Sequence, residues 1–176
     1  MTDLRYPIGK FTYDGPMTDA RRTECVARIA AAPAALRAAV AGLDDAQLDT
    51  PYRPEGWTVR QVVHHVPDSH LNAYTRIRLA LTEDTPTIKP YEEARWAELF
   101  DARSLPVEIS LRLLEALHDR WVPLLQRMGA AEGGRRFRHP EHGRLMTIDE
   151  VVAMYAWHGA HHAAHVTRLR ERMAWR

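Results

Sequence analysis

Apolar residues recur at helical spacing in four long stretches of the chain. The stretches cover about residues 18–43, 58–81, 104–128 and 148–173. Apolar positions three and four residues apart share one face of a helix, so each stretch predicts an amphipathic helix. We therefore expect an all-α protein in which four principal helices pack as a four-helix bundle.

Two of these helices have clear start signals. Thr58 is followed three residues later by Gln61, and Thr147 by Glu150, which is the spacing of a capping box. The first stretch is interrupted by Pro33, which lacks the N–H that closes a helical hydrogen bond. The sequence therefore predicts sharp starts for the second and last helices and a kink or break in the first.

The segments outside the helices predict an arm and a small hairpin. Residues 1–16 are punctuated by Pro and Gly and predict an extended N-terminal arm that lies on the body of the protein. Residues 135–139 and 144–147 are β-like and flank a turn that contains Pro and Gly, which is typical of a β-hairpin. We expect a single domain over residues 1–176.

Composition excludes several classes of protein. The 24 basic and 23 acidic residues give a formal net charge of +1, which argues against a nucleic-acid binder. No stretch reaches the roughly 18 apolar residues that a membrane-spanning helix needs, and the N-terminus has no apolar signal region. A single cysteine, Cys25, forms no internal disulfide, so we expect a reducing, cytoplasmic location.

Histidine is the unusual feature of the composition. The chain has 10 histidines, and four of them lie between His158 and His165. On a helical wheel His158 and His162 lie on the inward apolar stripe of the last helix, one turn apart, where two imidazoles can hold one metal ion. His161 and His165 form a second pair that the wheel turns outward, which places them at the rim of such a site or in contact with its ligands. A shift of the wheel by one position would exchange the two pairs.

A third metal ligand has to come from another helix, because one straight helix cannot surround an ion. The second helix offers His64, His65 and His70. His65 lies beside the apolar core positions, whereas His64 falls on a more solvated line, so His65 is the preferred ligand. Three neutral imidazoles would leave an open coordination position, as in catalytic zinc sites. Ordinary buried, hydrogen-bonded histidines are the alternative, and the spacing alone leaves both open.

The chain resembles the YfiT-like branch of the DinB superfamily, and the resemblance spans nearly its whole length. The motifs that carry it are, in chain order, YPIGKF (6–11), GWTVRQVVHH (56–65), DSH (68–70) with Asn72, LTEDTP (81–86), KPY (89–91), YAWH (155–158) and HHAAH (161–165).

This resemblance implies a four-helix bundle that binds one divalent metal, zinc or nickel, and forms a homodimer in many members. By motif position the implied ligands are His65, His158 and His162, the same residues that the wheels select. Pro67 departs from the small helix former expected in relatives, and it predicts a local distortion near His65.

Two reactions follow from the resemblance. One is hydrolysis by a metal-dependent hydrolase, and the other is S-transfer from a low-molecular-weight thiol such as bacillithiol or mycothiol. No carboxylate stands at a fixed spacing from the ligands as a general base, which slightly favours thiol transfer. A non-catalytic, stress-related binding module is the alternative, and a fourth protein ligand that closes the metal site would favour it.

Further candidate residues surround the proposed ligands. For Asp68, a solvated partner of His64 is the simpler interpretation. Arg76, Tyr91 and Trp157 are candidates to line a pocket. For the two aromatic residues, ordinary core packing is the simpler interpretation. The candidates for contact with the ligands or substrate are Asp68, Ser69, Asn72, His161 and His165.

Overall fold

Four long helices and a small hairpin make up the described part of the chain. The computed structural model describes residues 3–141 and 143–175, so residues 1 and 2 of the predicted arm, His142 of the predicted hairpin and Arg176 lie outside it. The elements are α1 (Asp19–Val40), α2 (Asp45–Leu48), α3 (Val59–Thr82), α4 (Glu93–Trp96), α5 (Phe100–Ser104), α6 (Val107–Gln126), α7 (Ala130–Gly133), β1 (Arg136–His139), β2 (Arg144–Thr147) and α8 (Ile148–Met173).

The long helices form the predicted four-helix bundle. Both α1 and α3 pack against α6 and α8.

The hairpin is also confirmed, since β1 and β2 pair antiparallel with Phe137 opposite Met146. Residues 3–16 form the predicted arm, which crosses α8 where the Gly9 carbonyl accepts a hydrogen bond from Trp157 Nε1 at 3.2 Å. In the described residues, no helix combines the length and apolar character needed to cross a membrane.

The predicted helix starts are confirmed. The Thr58 side chain accepts from the backbone N–H of Gln61, and the Gln61 side chain accepts from the N–H of Thr58, which is a complete capping box. The Thr147 side chain likewise accepts from the N–H of Glu150, while the Glu150 carboxylate pairs with Arg144 instead of returning to the cap. These caps fix where α3 and α8 begin, and therefore the phase of both histidine-bearing helices.

Proline does not break the helices that contain it. Pro33 lies inside α1, which is unbroken from Asp19 to Val40, so the break that the sequence predicted there is wrong. The N–H that Pro33 lacks would have bonded the Ile29 carbonyl four residues earlier. That carbonyl accepts instead from His118 Nδ1 of α6 at 2.9 Å, so packing supplies the missing donor. Pro67 similarly lies inside an unbroken α3.

The core of the bundle consists of two apolar clusters with a histidine layer between them. One cluster includes Ile29, Ile77, Trp121 and Val152. The other includes Leu36, Val63, Leu114 and Val166. Three of the four long helices contribute to this layer, and its histidines are His65, His70, His118, His158 and His162.

A glycine allows α1 and α8 to approach closely beside this layer. A Cβ built on Gly159 would lie 2.6 Å from the Ala32 Cβ and 3.7 Å from His70 Cε1. The first distance is well inside van der Waals contact, so no larger residue fits without moving a helix. The spacing of α1 and α8 next to His158 thus depends on Gly159.

We expect Gly159→Ala to lower the free energy of unfolding. Overpacking costs about 1–3 kcal/mol, whereas alanine gains at most about 1 kcal/mol in helix propensity over glycine. Urea unfolding followed by circular dichroism measures the difference. A variant as stable as the original chain, or more stable, would contradict the close approach of α1 and α8.

Candidate metal centre

Three histidines from two helices converge inside the bundle. They are His65 of α3 and His158 and His162 of α8, and each offers a ring nitrogen within 4.8 Å of those of the other two. The ring centroid of His65 lies 5.5 Å from that of His158 and 4.9 Å from that of His162, and the latter two are 4.5 Å apart. The structure therefore brings the three predicted ligands together, close enough for one ion to contact all three.

Burial keeps these imidazoles neutral. His65 and His162 are 7% and 8% exposed. Burial, with a contribution from the neighbouring His165, lowers the pKa of His65 to about 4. Burial and the adjacent histidines also hold the pKa of His158 and of His162 well below its ordinary value. At neutral pH all three rings carry a lone pair, and the neutral ring is the form that binds metal.

The donor set fits a divalent transition metal. His162 Nδ1 is buried and has no hydrogen-bond partner in the described part of the chain. A buried nitrogen without a partner is costly, and a bound ion is one way to satisfy the ring. Imidazole nitrogen is a ligand that suits zinc and nickel. Among the described residues, the set of potential metal ligands consists of three histidines. Three protein ligands match a site with an open coordination position.

Ser69 lies against one of the proposed ligands. Its Oγ is 3.3 Å from His158 Nε2 and 3.0 Å from the hydroxyl of Tyr155. The Tyr155 hydroxyl also donates to the Ser69 backbone carbonyl at 3.0 Å. The sequence predicted Ser69 as a contact residue and Tyr155 only as part of the inward stripe, so the polar contact of Tyr155 is an addition.

Two further histidines lie behind His158. His70 Nε2 is 3.2 Å from His158 Nδ1, and His70 Nδ1 is 2.8 Å from His118 Nε2. Both added histidines are buried, at 0% and 3% exposure. The sequence offered His70 as a possible direct ligand but gave no role to His118. The feature that could have identified His118 is its place on the apolar stripe of α6, in line with Leu114 and Trp121 at helical spacing.

The outward-facing rim position predicted for His161 and His165 is wrong, whereas their contact with a proposed ligand stays a prediction. These side chains are only 6% and 3% exposed, because the N-terminal arm and a loop cover them. The carbonyl of Arg5 accepts from His165 Nε2 at 3.1 Å, and Tyr52 stacks on the His165 ring at 4.1 Å. Trp157 stacks on His161 at 4.1 Å. A wheel of an isolated helix contains no information about segments that fold over it.

The solvated position predicted for His64 is also wrong. Its Nδ1 is 2.7 Å from Ser110 Oγ, and its Nε2 is 3.1 Å from the Leu105 carbonyl, so both ring nitrogens are engaged by α6 and the residues before it. Asp68 is therefore not a solvated partner of His64. Asp68 is half-buried, and burial together with the charge of Asp101 raises its pKa to about 6.

Two cavities are lined in part by residues that the sequence had proposed for a contact or pocket role. One, of about 520 Å³, lies under the arm, and its wall includes Tyr52 and His165. The other, of about 500 Å³, is lined by Asn72 and Tyr91, both of which the sequence had proposed for a pocket or contact role. Arg76 lies next to this second cavity, where its guanidinium donates to the Lys89 carbonyl at 3.4 Å.

Known proteins are similar to this chain in sequence and in structure. Residues 28–166 match the DinB superfamily. Two relatives described as candidate metal-dependent hydrolases, from Bacillus mycoides (strain KBAB4) and Bacillus cereus (strain 03BB102), are each 53% identical over 175 residues, which is 99% of this chain and 100% of the relative. The structure of YfiT from Bacillus subtilis, described as a candidate metal-dependent hydrolase with an unusual four-helix bundle topology, has a TM-score of 0.97 at 43% identity and covers 99% of this chain and 100% of its own. The chain therefore belongs to the DinB superfamily, as the resemblance of its motifs implied.

Proposed function

We propose that His65, His158 and His162 hold one divalent metal ion, zinc or nickel, and that the protein is a metal-dependent hydrolase of small molecules. The observation that carries the proposal is the convergence of three neutral, largely buried imidazoles with ring nitrogens within 4.8 Å of one another. The description of the relatives as metal-dependent hydrolases supports it. When bound, such an ion supplies Lewis acidity that activates water at neutral pH.

The charge of the site favours a reaction that develops negative charge. Three neutral imidazoles leave both positive charges of a divalent ion uncompensated. The surrounding core has a low dielectric constant, which strengthens the attraction between this charge and an anion. With a divalent ion held by these three residues, the site would stabilise an anionic transition state more than a neutral ground state.

Asp68 is the best candidate for the proton acceptor. It lies three residues after His65 on α3, so both side chains are on one face of the helix. The next residue, Ser69, contacts His158. A carboxylate with a pKa of about 6 is mostly ionised at neutral pH and still accepts a proton efficiently. The sequence suggested no general base by spacing, and the environment of Asp68 now supports one.

The second cavity is the proposed substrate site. Its volume of about 500 Å³ suits a small molecule, and its wall includes Asn72 one turn after Asp68. The same wall contains Lys89 and an ion pair between Arg95 and Glu92 at 3.2 Å, so Lys89 gives it a net positive charge. We therefore propose a small substrate that carries a negatively charged group such as a carboxylate.

Thiol S-transfer is the second candidate, and the neutral ligand set favours it too. A thiolate would compensate one charge of the ion, and coordination lowers the pKa of a thiol. A low-molecular-weight thiol such as bacillithiol or mycothiol would then be the first substrate and an electrophile the second. In this reaction Asp68 would accept the proton of the thiol. Formation of a homodimer, which the family resemblance implies, stays a prediction for either reaction.

Metal content tests the proposed ligands. We expect about one zinc or nickel ion per chain in the original protein by mass spectrometry, with loss of the metal in His65→Ala and His158→Ala. His161→Ala is the matched control, because it removes a buried histidine next to the ligands and should keep the metal. A metal-free original protein, or a loss confined to the control, would refute the assignment.

The pH dependence of hydrolysis tests Asp68. With 4-nitrophenyl acetate as the probe, kcat/KM should fall as the pH drops below about 6, because a protonated Asp68 cannot accept a proton. Asp68→Asn should lower kcat by about 10²- to 10⁴-fold with the metal retained.

A charge change next to Asp68 but outside the proposed metal ligands provides the control. Burial and the charge of Asp101 together raise the pKa of Asp68, and Asp101→Asn removes the second contribution, so the acid limb of the profile should move to lower pH. A profile that stays flat between about pH 5 and 7, or a limb unmoved in Asp101→Asn, would exclude Asp68 as the proton acceptor.

A comparison of two assays separates the candidate reactions. We expect the metal-loaded protein to hydrolyse 4-nitrophenyl acetate without added thiol, and to lose this activity on chelation and in His158→Ala. Faster conjugation of cysteine to monochlorobimane, with no ester hydrolysis, would replace the hydrolase by a thiol transferase. Metal binding without either activity would favour the binding module.

A further inference from the structure

A chain of hydrogen bonds joins the backbone of α1 to the proposed ligand His158. It begins at the Ile29 carbonyl, which has no helical donor because Pro33 lacks an N–H. His118 Nδ1 contacts this carbonyl at 2.9 Å. His118 Nε2 then contacts His70 Nδ1 at 2.8 Å, and His70 Nε2 contacts His158 Nδ1 at 3.2 Å. Three imidazoles are therefore linked in series.

The carbonyl at the start of this chain determines which nitrogens carry protons. A carbonyl only accepts hydrogen bonds, so His118 must donate to Ile29 through Nδ1–H. His118 and His70 are 3% and 0% exposed, and a buried imidazole whose contacts are a carbonyl and other imidazoles is neutral, with one donor and one acceptor. His118 Nε2 therefore accepts from His70 Nδ1–H, and His70 Nε2 accepts from His158 Nδ1–H.

The opposite order of protons is unfavourable. It would place the lone pair of His118 Nδ1 against the lone pairs of the Ile29 carbonyl at 2.9 Å and leave two buried acceptors unpaired. At the other end, the Tyr155 hydroxyl donates to the Ser69 carbonyl, so the Ser69 hydroxyl donates to Tyr155 and could only accept from His158 Nε2. That contact is long, at 3.3 Å, whereas His118 Nδ1 lies 2.9 Å from the Ile29 carbonyl. The closer contact, in α1, therefore sets the direction.

We propose that His118 and His70 are positioning residues that hold His158 in its Nδ1–H tautomer and so keep the lone pair of Nε2 free for the metal. The proposal deepens the proposed function and rests on it, because it takes His158 as a metal ligand. Metal-bound histidines usually donate their second N–H to a carboxylate or a carbonyl. Here a carbonyl acts through two neutral rings, so the ligand is oriented without an added negative charge.

Nitrogen NMR of the metal-free full-length protein tests the tautomers without any metal. Long-range ¹H–¹⁵N spectra of ¹⁵N-histidine-labelled protein distinguish protonated from unprotonated ring nitrogens. We expect the Nδ1–H tautomer for His118, His70 and His158 alike. His158 found as the Nε2–H tautomer would overturn the proposal, whatever the activity of the protein.

Substitutions of His118 test its effect on metal binding. His118→Phe keeps a ring of similar size and removes the acceptor for His70, so we expect zinc affinity to fall about 10- to 100-fold and His158 to shift toward the Nε2–H tautomer. His118→Gln keeps one acceptor for His70 and one donor for Ile29, so it should restore both properties. Competition with a chromogenic zinc chelator measures the affinity.

A matched control separates the hydrogen-bond chain from packing. Trp121 lies edge-on to His70 and His118, with ring centroids 5.7 and 5.6 Å away, and its Nε1 has no acceptor among the described residues. Trp121→Phe should therefore disturb packing but leave zinc affinity and tautomers as in the original protein. Equal affinity in His118→Phe and Trp121→Phe would refute the positioning role. If NMR shows the expected tautomers but the protein binds no zinc, the result refutes the proposed function and supports the tautomer order.

Discussion

Removal of imidazoles from water in the middle of a helical bundle is the constraint on which this structure depends. A buried imidazole stays neutral and must place one donor and one acceptor. On one side of the layer, His118 and His70 meet this need through hydrogen bonds that end on a backbone carbonyl. On the other side, the rings of His65, His158 and His162 face one another. The same desolvation that keeps these rings neutral prepares them for a metal ion.

Two residues that normally weaken helices contribute to this arrangement. Proline and glycine inside a helix cost about 3 and 1 kcal/mol relative to alanine. Pro33 frees the Ile29 carbonyl that receives His118, and Gly159 lets α8 approach Ala32 of α1 beside His158. Local helix propensity is thus lowered where the histidine layer crosses the bundle, which is typical of functional sites. The two apolar clusters and the helix caps offset the loss.

The sequence predicts the helices and the histidine triad because both depend on the helical period. The capped starts of α3 and α8 fix the phase, so His65, His158 and His162 could be selected from wheels before any contact was known. Burial by other segments could not be predicted, since His165 is covered by an arm some 160 residues away in the chain. The raised pKa of Asp68 likewise depends on burial by other segments and on the charge of Asp101 in α5.

Anomalous diffraction at the zinc edge from zinc-loaded crystals would test the central claim most directly. We predict one peak inside the bundle, about 2.0–2.1 Å from a ring nitrogen of each of His65, His158 and His162, with Nε2 as the ligand atom of His158. A peak between His161 and His165, or coordination through His158 Nδ1, would contradict it.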